Sequence, residues 1–156
     1  MPNVGIEYAI LLPILVLEII LLPLCASWMM SVWTNDRMKG EIQEAANQVS
    51  GTIKQLYLAL ESSSISPTSL SSPVVQTLNS PTTIESYLYY ATSPPSSWIT
   101  TLNLHFILQG TGITANSTAI FGSSIYWHSS KFFSNSSSAS IEAWKYSNGT
   151  ISLSFK

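Results

Sequence analysis

Apolar and polar positions divide the chain into three stretches with different periodicity. From Tyr8 to Thr34 nearly every residue is apolar, and Glu18 is the single charged one. A run of about 27 residues is long enough to cross a hydrocarbon layer of ~30 Å as a helix. The alternative is a buried helix of a soluble protein, but a chain of 156 residues has little material left to cover every face of so long an apolar helix. This stretch therefore predicts a membrane-spanning helix.

The second stretch, residues 35–61, places its apolar residues three and four positions apart, as one face of an amphipathic helix requires. These residues are Met38, Ile42, Ala45, Val49, Ile53, Leu56 and Leu60. No proline separates this stretch from the first. Together the two stretches predict one nearly continuous helical stem over residues 1–61, with a helix of about 55 residues and a length of about 80 Å.

The third stretch begins with serines and prolines, which predict a linker or extended edge segment over residues 62–83. Beyond it, short β-branched and aromatic runs alternate with turn signals. Asn148-Gly149 lies between the last two runs and is a strong hairpin signal. We expect five to seven short strands forming a small antiparallel β-sandwich-like or barrel-like head over residues 84–156, with residues 62–83 packed on it. The predicted fold class is α+β, a long N-terminal helix followed by this head.

Composition suggests where the head lies. Charged residues make up 9% of the chain, against about 25% in an ordinary soluble domain. The head is rich in serine and threonine, and a disordered tail is the competing interpretation, but its tryptophans, tyrosines and phenylalanines favour a packed core. Asn116, Asn135 and Asn148 each begin an Asn-X-Ser/Thr sequon, so they are candidate N-glycosylation sites and favour an extracellular head.

Candidate chemistry is sparse. The sole aspartate, Asp36, lies beside the apolar run, far in sequence from His105 and His128, so a Ser-His-Asp site is not expected. One cysteine, Cys25, and two histidines give no metal-ligand spacing. The net charge of −2 offers nucleic acid no basic surface. We predict no enzyme activity, no cofactor, no metal and no nucleic-acid partner. The aromatic-rich run at residues 124–133 is either core or a surface for sugars or neighbouring heads.

The basic residues conflict with an extracellular head. Arg37 and Lys39 follow the apolar run and no lysine or arginine precedes it. The positive-inside rule, taken literally, places the head in the cytoplasm. A basic leader removed after membrane insertion would resolve the conflict with the sequons, and we expect such a leader.

The N-terminal segment "NVGIEYAILLPIL" resembles that of type IV pilins, especially archaeal class III prepilins and minor pilins of tight-adherence systems. Glu7 aligns with the glutamate of those families, Asn3 stands where their Gln would be, and Gly5 stands where their Ser would be. Pro23 falls close to the helix-breaking proline of pilin stems. The resemblance covers about the first 13 residues as a motif and the predicted stem as an architecture.

The resemblance implies a helical homopolymer, inserted in the cytoplasmic membrane before assembly and then extracted into an extracellular filament used for adhesion. A prepilin peptidase and pilus assembly machinery would be its partners. Glu7 would pair with the α-amino group of a neighbouring subunit. Glu18 lies within about 20° of the same helix face and roughly 16 Å further along, so it is a second candidate contact. Pro13 and Pro23 would let the stem bend or unwind.

Three alternatives accompany this interpretation. An archaellin of a swimming filament is a related one. Another is a monomeric single-pass cell-surface protein whose β-domain binds a partner or glycan. For Glu18 alone, the alternative to an assembly role is a carboxyl that is protonated or hydrogen-bonded to a nearby hydroxyl.

Overall fold

The computed structural model of the chain describes the backbone of residues 4–62 and 73–156, and the side chains of residues 10–62 and 73–156. It contains one helix, α1 (Val4–Glu61), followed by seven strands within these ranges. The strands are β1 (Val74–Thr77), β2 (Tyr89–Thr92), β3 (Ser97–Leu108), β4 (Thr114–Trp127), β5 (Lys131–Phe133), β6 (Ser140–Lys145) and β7 (Ile151–Phe155). The prediction of an α+β fold with one long helix is confirmed.

The chain divides into two compact units, Met1–Arg37 and Met38–Lys156. The boundary lies inside α1 because the amphipathic residues of its second half belong to the core of the second unit. The predicted segments 1–61, 62–83 and 84–156 stay a prediction. Residues 63–72 of the middle segment lie outside the described residues, and Val74–Thr77 of the same segment form the edge strand β1.

The predicted apolar stripe of α1 is buried at every position: Met38, Ile42, Ala45, Val49, Ile53, Leu56 and Leu60. Two further residues of the helix, Ala46 and Tyr57, are also buried. Tyr57 packs on Phe121 of β4, with ring centroids 5.0 Å apart. The stripe therefore forms one wall of the head's core, as the spacing by threes and fours predicts.

All seven strands belong to one sheet, in the order β1-β6-β7-β4-β3-β2-β5. Neighbouring strands are antiparallel except β4 and β7, which are parallel. β6 and β7 form the hairpin predicted from Asn148-Gly149, and Gly149 adopts a left-handed φ of 83° in its turn. A two-sheet sandwich is not confirmed.

The sheet curves strongly. Three strands separate β7 from β5 in the sheet order, yet the rings of Phe155 and Phe132 lie 5.8 Å apart. Trp127 also packs on Phe155, with ring centroids 5.4 Å apart and the two rings nearly perpendicular. The concave face therefore closes partly on itself and buries aromatic side chains without a second sheet.

Tyr89 of β2 lies in this aromatic core. Its ring is 5.9 Å from that of Phe132, and its hydroxyl donates to the carbonyl oxygen of Pro81 at 2.6 Å. Burial raises the pKa of the Tyr89 phenol above its usual value, and a hydrogen bond with Ser80 acts in the opposite direction. The phenol is therefore held neutral, and it ties the segment before β2 to the sheet.

Candidate functional site

The apolar segment of α1 exposes large side chains on every face of the helix. In the most apolar window of this helix no residue is buried, and the mean hydropathy of that window is 2.5. By length and composition this part of α1 is able to cross a membrane. The exposed residues are Ile10, Leu11, Leu12, Ile14, Leu15, Val16, Leu17, Ile19, Ile20, Leu21, Leu22, Leu24, Trp28, Met29, Met30, Val32 and Trp33. So wide an apolar surface requires lipid or other protein around it.

Glu18 is exposed in the middle of this segment. It lies three residues from the centre of the Tyr8–Thr34 run, which is ~5 Å along a helix. The residues one helical turn away on either side are all aliphatic, namely Ile14, Leu15, Leu21 and Leu22. Side chains of an α-helix meet at spacings of three and four. Its own helix therefore offers the Glu18 carboxyl no hydrogen-bond donor.

α1 continues as an α-helix through both Pro13 and Pro23. Each proline lacks an N–H group and leaves the carbonyl four residues earlier without its helical donor. The backbone of Glu7 belongs to α1, but its side chain lies outside the described side chains. The assembly roles predicted for Glu7, Glu18, Pro13 and Pro23 stay predictions.

On the head, aromatic residues line up across the convex face of the sheet. Register pairs Trp98 of β3 with Tyr126 of β4, Tyr126 with Ser152 of β7, and Ser152 with Trp144 of β6. The rings of Trp98 and Tyr126 are 5.4 Å apart and nearly perpendicular. His128 packs edge-on against Tyr126, at 4.8 Å. This arrangement is an aromatic cluster at one end of the strands.

The run at residues 124–133 is thus divided between core and surface. Trp127 and Phe132 are buried in the concave core, whereas Phe133 is 45% exposed and Tyr126 is half-buried. Core and surface residues both occur in this run because successive side chains of a strand point to opposite faces, and binding of sugars or neighbouring heads by the exposed residues stays a prediction.

The three sequon asparagines are all exposed, at three different places on the head. Asn116 lies within β4, and its Oδ1 is 2.6 Å from Nδ1 of His105. Asn135 lies in a turn after β5. Asn148 lies in the β6–β7 turn, where its Oδ1 accepts the backbone N–H of Thr150 at 3.0 Å. None of them lies in the same compact unit as Glu18.

The structure adds a grouping that sequence reasoning missed. A cleft of about 310 Å³ is lined by Trp98, Tyr126, His128, Tyr146, Asn148 and Ser152, among others. These residues come from three strands, the segment after β4 and the β6–β7 turn, spread over more than 50 positions of sequence. A partial signal was present, since Tyr146 precedes the Asn148-Gly149 turn by two residues.

Comparison with known proteins finds no matching family model, no matching curated protein and no matching solved structure.

Proposed function

We propose that this chain is a structural subunit of an extracellular, type IV pilus-like filament, and that it polymerises through the first part of α1. The observation that carries the proposal is the apolar helix surface, exposed on all faces, with one carboxyl near its middle and no partner for that carboxyl within one turn. The resemblance of the N-terminal segment to type IV pilins supports the same function.

The energetics favour a specific role for Glu18. Moving an aliphatic helix from lipid into a bundle of identical helices gains little hydrophobic free energy, because lipid tails are as apolar as leucine. A carboxylate at the middle of a membrane helix, in contrast, costs roughly 3 kcal/mol on insertion scales. A filament that supplies a cation or a hydrogen-bond donor to Glu18 offsets this cost. The carboxyl therefore favours the assembled state over the lipid-embedded one.

The other predicted elements fit this scheme. Glu7 would bind the α-amino group of a neighbouring subunit, and Pro13 and Pro23 would let the helix bend or unwind as it leaves the membrane. Before assembly the chain would lie in the cytoplasmic membrane, where a prepilin peptidase and the pilus machinery act on it. In the filament the β-domain, rich in hydroxyl groups, would face the surroundings and mediate adhesion. We also propose that the chain comes from an archaeon.

A monomeric single-pass surface protein is the second candidate function. The cleft of the head favours it, because the exposed Trp98 and Tyr146 on its lining offer rings to a ligand. A monomeric anchor has no use for Glu18, since a leucine there lowers the cost of insertion. The two candidates therefore differ in what the carboxyl does.

Negative-stain electron microscopy of filaments sheared from the producing cells tests the proposal, with the chain identified by mass spectrometry in the same fraction. Wild-type cells should yield thin uniform filaments made mainly of this chain. Glu18→Leu should reduce the filament yield while the chain accumulates in the membrane. Ile20→Leu, a swap of equal volume two positions away, should leave the yield unchanged.

Glu18→Gln separates charge pairing from hydrogen bonding. If Glu18 pairs with a cation, Gln should fail as Leu does. If Glu18 acts as a neutral hydrogen-bonding group, Gln should restore filaments. Absence of the chain from every filament fraction, with all of it in the membrane pellet, would contradict assembly and leave the monomeric surface protein.

A further inference from the structure

The cleft on the convex face of the sheet combines exposed aromatic side chains with a buried hydroxyl, and these two features point to one kind of ligand. Trp98 is 59% exposed and Tyr146 is 47% exposed, so both residues offer surface to a ligand. Ser152 is buried on the cleft lining, and its Oγ has no hydrogen-bond partner within residues 10–62 and 73–156. Aromatic ring faces carry negative charge that attracts polarised C–H groups. A buried hydroxyl is satisfied by a polar ligand and not by an apolar one.

Asn148 lies on the rim of the same cleft, in the β6–β7 turn, and its side chain is exposed. The N–H of Gly149 donates to the carbonyl of Tyr146 at 2.9 Å, and the N–H of Tyr146 donates to the carbonyl of Thr150 at 2.8 Å. Gly149 has the positive φ that this turn needs. The Oδ1 of Asn148 accepts the Thr150 N–H, which leaves its Nδ2 directed away from that contact.

The other two sequons lack this arrangement. Asn116 lies in a central strand, its Oδ1 contacts His105, and its carbonyl oxygen accepts from Gln43 at 2.9 Å. The cleft beside it is lined by Asn103, Leu104, His105, Ser117 and Thr118, with no phenylalanine, tyrosine or tryptophan. Asn135 lies in the turn after β5, two residues from the exposed Phe133, and it is not among the residues that line the aromatic cleft.

We propose that Asn148 is the N-glycosylated residue of the head and that the first sugars of its glycan fold back into this cleft, stacking on Tyr146 and Trp98. The proposal rests on the proposed function, because it requires an extracellular head. A pyranose presents C–H groups on its faces and hydroxyl groups at its edges, which matches aromatic walls above a polar floor. The glycan then covers apolar surface that the chain otherwise leaves exposed.

The modification is a transfer from a lipid-linked oligosaccharide phosphate, catalysed by a membrane oligosaccharyltransferase. The Nδ2 atom of Asn148 attacks C1 of the first sugar and forms the C1–Nδ2 bond. The bond from C1 to the phosphate oxygen breaks, and the lipid phosphate leaves with the bonding pair. The proton lost from Nδ2 passes to a base of the transferase, and no oxidant or reductant takes part.

Glycopeptide mass spectrometry of the full chain from the producing cells, purified in detergent, is the first test. We expect a glycan on Asn148 in most copies and none on Asn116. An unmodified Asn148 in the native chain overturns the proposal, and so does a glycan found on Asn135 alone.

The second test asks whether the attached sugar occupies the cleft. In NMR spectra, ring protons of the first sugar should shift upfield in the native chain and lose that shift in Tyr146→Ala. Asn148→Gln removes the glycan and should lower Tm by about 4 °C in the wild-type background. In Tyr146→Ala the contact between the glycan and the Tyr146 ring is already lost, so Asn148→Gln should lower Tm by much less. Phe133→Ala, which removes an exposed aromatic beside Asn135, is the matched control and should keep both effects. A glycan on Asn148 with no upfield shift and no change in Tm overturns the placement in the cleft.

These results are independent of assembly. Filaments made of a chain without a glycan on Asn148 would overturn this inference and leave the proposed function intact. A glycan on Asn148 in a chain that never enters filaments would do the reverse.

Discussion

The hydroxyl oxygens of Ser50 on α1 and Ser117 on β4 lie 2.6 Å apart, in the buried interface between the helix and the sheet. Ser117 donates to Ser50, and Ser50 in turn donates to the carbonyl of Asn47 at 3.0 Å. This chain of polar contacts fixes the position of the helix on β4, because a displacement along the helix axis leaves a buried hydroxyl unsatisfied.

The two serines should differ in what their removal costs. Ser117→Ala leaves Ser50 bonded to Asn47, so we expect the free energy of unfolding to fall by about 1 kcal/mol. Ser50→Ala leaves the buried hydroxyl of Ser117 only its longer contact, 3.5 Å, to Oδ1 of Asn47, so we expect a larger loss, of about 2 kcal/mol. Thermal unfolding of the full chain in detergent, followed by circular dichroism, measures both.

The double variant tests the coupling of the two hydroxyls. Each single change already removes the hydrogen bond between the two hydroxyls. The double variant Ser50→Ala/Ser117→Ala should therefore lose less free energy of unfolding than the sum of the two single losses. Strict additivity would mean that the two groups do not interact in solution. Thr52→Ala, an exposed hydroxyl on the same helix, is the control for helix propensity and should change stability little.

Tyr57 stabilises an irregular part of β4. The pairing of β3 with β4 shifts register between Ile99 and Thr101, whose partners are Ile125 and Ile120. The hydroxyl of Tyr57 accepts the backbone N–H of Ser123, within this gap, at 2.9 Å. A tertiary contact thus replaces a missing ladder hydrogen bond.

Tyr57→Phe keeps the ring packed on Phe121 and removes the hydroxyl, with its contacts to the backbone N–H and to Oγ of Ser123. We expect the free energy of unfolding to fall by about 2 kcal/mol, because a backbone N–H is left without its partner. Hydrogen exchange of the Ser123 amide should accelerate more than exchange elsewhere in β4. Equal protection of Ser123 in the two proteins would contradict this role. Tyr90→Phe, on the convex face of β2, is the control and should leave Ser123 protection unchanged.

The raised pKa of Tyr89 predicts a stability that falls at alkaline pH. The unfolded phenol ionises near pH 10, whereas burial holds the folded phenol neutral to higher pH. The folded chain therefore binds this proton more tightly, so the stabilisation is complete below pH ~10 and is lost as the pH rises from there towards the folded pKa. Unfolding midpoints measured between pH 8 and pH 11 would show the decline.

Tyr89→Phe should flatten this decline. It should also lower stability at neutral pH by about 1 kcal/mol, since the bond to the Pro81 carbonyl is lost. Phe132→Leu, which perturbs the same aromatic core without removing a titratable group, should lower stability while keeping the decline. An unchanged alkaline slope in Tyr89→Phe would show that other groups cause it.

Local patterns predicted the helix and the last hairpin because their information lies within a few residues. Spacing by threes and fours identified the buried stripe from Met38 to Leu60, and Asn148-Gly149 identified the turn between β6 and β7. The short strands β1 and β5 were not predicted individually, because each has three or four residues and is defined by its pairing with a distant strand.

The candidate sites show the same limit. Glu18 was identified from sequence, since a carboxyl within an apolar run is conspicuous. The cleft was not, because it depends on the register that places Trp98 beside Tyr126 and on the parallel pairing of β4 with β7. A change of one residue in either register would move those rings to the other face of the sheet.

Pro23 provides the last prediction, because α1 is helical at a residue that disfavours helix. Pro23→Ala restores a donor for the carbonyl of Ile19 and relieves the proline ring clash, which should stabilise the helix locally by roughly 3 kcal/mol. In the detergent-solubilised chain, hydrogen exchange of amides near Pro23 should slow.

If the stem unwinds at Pro23 during assembly, Pro23→Ala should lower the filament yield without reducing the amount of chain in the membrane. Leu24→Ala, one position away, alters packing but no backbone hydrogen bond, so it should leave the exchange near Pro23 unaltered. Wild-type filament yield from a Pro23→Ala chain with slowed exchange would show that the subunit enters the filament with this helix intact.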